Sequence, residues 1–127
     1  MLICLAAYAT TVALVVLLPI SYAGIVHAIT EWLDTTLGVG GFGAGWIEFI
    51  ANVLMFLPLG LLLALLFRHP WYGVALALAL SVAAELVQFV IPSRQPSLRD
   101  ILANALGAAL GAALAWTLVL RRDRSER

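Results

Sequence analysis

The sequence contains no lysine, a single cysteine and few charges of either sign; seven arginines balance seven acids over 127 residues. Each shortage excludes something. Cys4 stands alone in an apolar run, which leaves no disulfide framework and no thiolate cluster for a metal. A formal net charge of zero gives no polyelectrolyte face, so nucleic acid is not a partner. Charged residues make up 11% and hydrophobic residues 64%, against about 25% and about 45–50% in soluble domains. That contrast excludes an ordinary soluble domain. With a mean hydropathy of +1.06, the chain reads as an all-α integral membrane protein with room for three or four spans.

Apolar runs divided by polar residues, proline and glycine predict a four-helix transmembrane bundle with short hairpin loops. The helices cover about 2–27, 47–67, 71–90 and 100–120, each with the roughly 20 residues that cross a bilayer. Residues 1–120 form one transmembrane domain and residues 121–127 a basic tail. Ser21-Tyr22-Ala23 faintly suggests a signal-peptide cleavage site. However, the segment lacks a positive start and its apolar run is too long, so it is read as retained. Thr30 to Asp34 and the glycines from Gly38 to Gly45 read as a connection, with Trp32 and Trp46 at headgroup level. Pro58 is expected to release the Leu54 carbonyl and kink the second helix.

Orientation follows the arginines. Arg121, Arg122, Arg124 and Arg127 in the tail, with Arg68 in the second loop, belong in the cytoplasm. Both termini are then cytoplasmic, and Arg94 and Arg99 lie outside. The tail reads as a topology anchor rather than a nucleic-acid binder, because Asp123 and Glu126 dilute it.

What remains is a small polar population: Glu48 with Asn52, Glu85 with Gln88, Asp100 with Asn104, and Arg94 and Arg99 nearby. An ionisable group at the centre of a span costs roughly 2.5–3.5 kcal/mol on insertion scales. Residues three or four apart share a helix face. All three pairs fall at the outer ends of their helices, at one depth, so these eight residues are the candidate binding site. Simpler roles stand beside that one. Glu48 and Asp100 suit the first turn of a helix, where the dipole favours acids. Asn52 and Asn104 suit interhelical packing. Glu85 fits less well, because it lies toward a helix C-terminus; it calls for Arg94 or Arg99 as partner, or for protonation. Ala103, Gly107, Gly111 and Ala115 form a small-residue ridge that serves packing within the chain or a homodimer through the Gly107/Gly111 face. His27 and His69 have no companions for a zinc site, and neither metal nor cofactor is implied.

The run Glu48-x-x-x-Asn52-x-x-x-Phe56-x-Pro58-x-Gly60, then Glu85-x-x-Gln88, then Arg94 through Asp100-x-x-x-Asn104-x-x-Gly107-x-x-x-Gly111, resembles the VanZ-like family. These are bacterial membrane proteins named for a member associated with teicoplanin resistance. The resemblance covers Glu48 to Trp116 and implies a cell-envelope membrane protein, with no settled reaction. The family pattern often places acids between the arginine and the helix-opening aspartate. Here Ser97 and Arg99 stand there, which disfavours a divalent metal and favours an anionic ligand.

Three functions remain open. The first is non-enzymatic binding or modulation of a membrane lipid or lipid-linked anionic envelope component, with the arginines contacting the anion. The second is an intramembrane enzyme using Glu48 or Glu85 as general acid or base. The third, a small dimeric transporter, wants an acid near mid-membrane and finds its acids at one end.

Overall fold

The computed structural model describes residues 1–17, 23–39, 43–90 and 97–122. An apolar chain in lipid has to close its backbone hydrogen bonds within each segment, and all regular structure among the described residues is helical. The helices are α1 (Leu2–Leu17), α2 (Ala23–Leu37), α3 (Ala44–Phe67), α4 (Pro70–Val90) and α5 (Leu98–Ala115), the last running on into a π-helical turn, Trp116–Leu120.

Three of these helices are long and apolar enough to cross a membrane: α3, α4 and the α5 segment as far as Val119. They match the three predicted spans to within a few residues. The first segment is different. It comprises two helices, α1 and α2, so the four-helix bundle expected from the sequence is corrected to five helices among the described residues. Pro19, which lies in the sequence between α1 and α2, has no N–H to donate into a helix and disfavours helical backbone before it. The 16 residues of α1 reach about 24 Å, short of a hydrocarbon core of about 30 Å.

Thr30 to Asp34, read from sequence as a connection, is helical within α2. Gly24, Ile25, Ala28, Ile29 and Trp32 line one side of it, while His27, Thr30, Glu31 and Asp34 fall elsewhere around the axis. Threonine is accommodated because its hydroxyl bonds back to the preceding turn, Thr30 Oγ1 to the Val26 carbonyl at 2.7 Å. No α2 residue is buried. A helix whose polar side chains gather on one side suits a membrane surface rather than a crossing.

The most extensive packing is between α3 and α5, which run parallel. A Cβ on Gly107 would overlap the Val53 carbonyl, one on Gly111 the Leu57 carbonyl, and one on Gly60 the Ala108 backbone. The ridge of Ala103, Gly107, Gly111 and Ala115 is wholly buried, and its glycines are packed on α3 of the same chain. Across the two-residue turn of Arg68 and His69, α4 also packs against α3, less tightly. A Cβ on Gly73 would lie 2.8 Å from the Gly60 carbonyl. Arg68 takes the left-handed conformation, φ 54°, that ends α3.

Pro58 stays inside α3. One residue beyond the carbonyl that Pro58 leaves without a helical donor, Met55 O accepts a 2.6 Å hydrogen bond from the Tyr8 hydroxyl. That bond ties α1 to α3, where Leu5 and Val12 join the core of Phe56, Leu59 and Leu63.

Candidate functional site

The antiparallel α4/α5 seam carries its polar groups in register. Along α4 the buried residues are Gly73, Ala77, Ser81, Glu85 and Gln88, a stripe at helical spacing. Gly73 admits the backbone of α3, Ala77 belongs to the core, and the last three members are polar. The Asn104 side-chain amide donates to Ser81 Oγ at 2.8 Å, and both residues are buried. Farther toward the loop, the Ser97 backbone N–H donates to Glu85 Oε2 at 2.9 Å. One helical turn from the Ser81–Asn104 contact, in the same direction on each helix, lie Glu85 and Asp100. The register therefore sets two carboxylates at one level of the seam.

This explains why a buried acid is tolerated near the C-terminal end of α4, where its own helix dipole opposes it. Ser97 is the N-cap of α5. Glu85 thus sits at the positive end of the neighbouring helix and satisfies one of its unpaired N–H groups. Of the arginines proposed from sequence as partners for Glu85, Arg99 goes elsewhere. Its Nη2 lies 3.5 Å from Glu48 Oε2, with both side chains 52% exposed. The guanidinium rests over Gly45, where a Cβ would come within 2.7 Å of Nη2. Gly45 thus leaves room for it.

The eight candidate residues therefore fall into two groups at one end of the bundle. Glu48 and Arg99 form an exposed pair between α3 and α5. Glu85, Gln88 and Asn104 are buried along the seam, with Asp100 half-buried at the start of α5. Asn52 is half-buried on α3, one turn below Glu48. Arg94 lies outside the described residues. Among the described residues no three of His, Cys, Asp and Glu come together as a metal-ligand set.

Sequence reasoning missed Ser81, because a lone serine in an apolar helix reads as packing. Its signal was the spacing Ser81-x-x-x-Glu85-x-x-Gln88. Asn104 Oδ1 is buried without a hydrogen-bond partner, a state that costs about 1–3 kcal/mol. Asn104→Leu should consequently change stability by less than about 1 kcal/mol, since the lost interhelical bond, averaging about 0.6 kcal/mol in membranes, is offset by removing the unpaired carbonyl. Unfolding of the purified protein in SDS measures this. A loss above about 2 kcal/mol, the upper part of the range for an unmet buried polar group, would show that Oδ1 is satisfied after all.

The family model described as VanZ/LLP1 matches residues 5–120, and the chain belongs to that family. The match extends beyond the resemblance seen from Glu48 to Trp116 and takes in α1 and α2. No curated protein and no solved structure matches the chain.

Proposed function

We propose that this VanZ/LLP1 family membrane protein binds an anionic, lipid-linked envelope component at the end of the bundle that carries Glu48, Glu85 and Arg99. The observation that carries the reading is the state of Arg99. A guanidinium has five N–H donors, and among the described residues Arg99 spends one, on a long contact to Glu48. The side chain is half exposed at a helix N-terminus, itself a favourable place for an anion. Glu48 orients the guanidinium. Asn104 supplies an amide deeper in the seam and Gln88 one nearer the loop, and Arg94 belongs to the same proposal from sequence.

The arginine-rich C-terminal end placed in the cytoplasm would set this site at the outer leaflet. A phosphatase fused after Arg127 should then be inactive.

A second reading has one specific support: Glu85 and Asp100 at the same level are a carboxylate pair suited to acid/base work on a bound lipid. One experiment separates the two. Purified protein is incubated with a polyprenyl phosphate and with the uncharged polyprenol. The binding reading expects retention of the phosphate, at least about tenfold weaker retention of the alcohol for loss of one charge-assisted contact, and no product. Turnover would replace binding with catalysis, and equal retention would remove Arg99 from the argument.

A further inference from the structure

The opposite end of the bundle takes no part in the site above. There, between the first turns of α4 and the last turns of α5, lies a groove of about 500 Å³. His69, Trp71 and Val74 form one wall, and Ala109, Ala113 and Trp116 the other. From Ala109 to Trp116 it runs about 10 Å along the helix axis. Its deep part offers only methyl and methylene groups, and its mouth carries two indoles and an imidazole, the rings that favour headgroup depth. Ala109, Ala113 and Trp71 are exposed, so the groove opens sideways toward lipid.

The backbone adds charge to this rim. Beyond Ala115 the helix widens into the π turn, and the Arg121 N–H bonds to the Trp116 carbonyl. In a regular α-helix the fifth residue on stands about 140° round the axis. Closing i→i+5 instead brings it back more nearly over the first. The wide turn therefore brings Arg121 round toward the side of Trp116, which lines the groove. Arg68 precedes His69 in the α3–α4 turn and Arg122 follows Arg121. Residues 64–74 and 109–122 include no acid. In the tail beyond, Asp123 and Glu126 stand against Arg124 and Arg127.

We propose that this groove is a binding site for an anionic phospholipid, with one acyl chain between Val74 and Ala113 and the headgroup phosphate on Arg121. An apolar slot open to the bilayer fits a chain, and Arg121, five residues beyond Trp116 at its end, favours a negative headgroup. The proposal stands apart from the polar end and does not depend on its function.

The test is native mass spectrometry of the full-length protein, after equilibration in nanodiscs of phosphatidylglycerol with phosphatidylcholine. The wild type should retain phosphatidylglycerol in preference to phosphatidylcholine. Arg121→Gln should weaken that preference about fivefold, the effect of one basic residue near a charged surface. Ala113→Phe fills the groove from an exposed position and should abolish retention of either lipid, with helicity by circular dichroism unchanged. Equal retention of the two lipids by the wild type would overturn the proposal. So would undiminished retention by Ala113→Phe, or a preference untouched by Arg121→Gln.

Discussion

Gly111→Ala should lower the stability of the bundle by about 1–3 kcal/mol, the usual penalty for forcing atoms into a packed core, and Gly111→Leu should prevent its assembly. A Cβ at this position meets the Leu57 carbonyl, with Leu61 N at 2.7 Å and the Leu57 carbonyl carbon at 2.9 Å. All three are backbone atoms of α3, and none can turn away as a side chain would. Relief requires α3 and α5 to separate. Separation also breaks the contacts of Gly107 on Val53 and Gly60 on Ala108. Between helices in lipid there is no hydrophobic effect to compensate, because association rests on close packing and hydrogen bonds. Gly24→Ala is the control. Nothing lies within 4 Å of its Cβ, so that variant should lose no stability. The measurement is the SDS fraction at which tryptophan fluorescence reports unfolding. Equal midpoints for Gly111→Ala and wild type would mean that the α3/α5 crossing is looser than described here.

How much of this was legible beforehand depends on whether a feature is axial or lateral. Span lengths, the tight turn at Arg68-His69 and the shared depth of Glu48, Glu85 and Asp100 are positions along a helix axis. Residue counts supply those at 1.5 Å per residue. Partner choice is lateral, and it depends on which helices become neighbours. Arg99 and Asp100 are adjacent in sequence but about 100° apart around α5. Arg99 consequently reaches Glu48 on α3, while Asp100 lies at the level of Glu85 on α4. The pairing of Arg99 with Glu85 considered from sequence used depth alone. The first segment failed for another reason: hydropathy over residues 2–27 does not distinguish one long helix from α1 followed by α2, which gathers His27, Thr30, Glu31 and Asp34 on one side. The small-residue ridge was legible as a packing face, but its partner, α3 of the same chain, was not.

Substitutions at Arg99 and Glu85 should separate function from folding more sharply than any others in the chain. Arg99 and Glu48 are half exposed and 3.5 Å apart, and exposed ion pairs contribute only about 0–1 kcal/mol. Arg99→Gln should therefore unfold within about 1 kcal/mol of wild type by that measure. If the half-exposed Arg99 guanidinium holds an anion, the same variant loses charge-assisted bonds of about 1.5–3 kcal/mol, a fall in affinity of roughly 10- to 150-fold. Glu85 behaves in the opposite way. Glu85→Leu deprives the Ser97 N–H of its acceptor and should cost about 1–3 kcal/mol of stability. Glu85→Gln keeps a carbonyl oxygen for that bond and should lose less stability than Glu85→Leu. Under the binding reading, Glu85→Gln also retains the polyprenyl phosphate. Under the catalytic reading it stops proton transfer and lowers turnover by about 10²- to 10⁴-fold. Equilibrium retention of polyprenyl phosphate, product analysis and SDS unfolding on the three variants decide the matter. Unchanged affinity in Arg99→Gln would sink the proposed anion site, because no folding defect is available to mask or mimic the result.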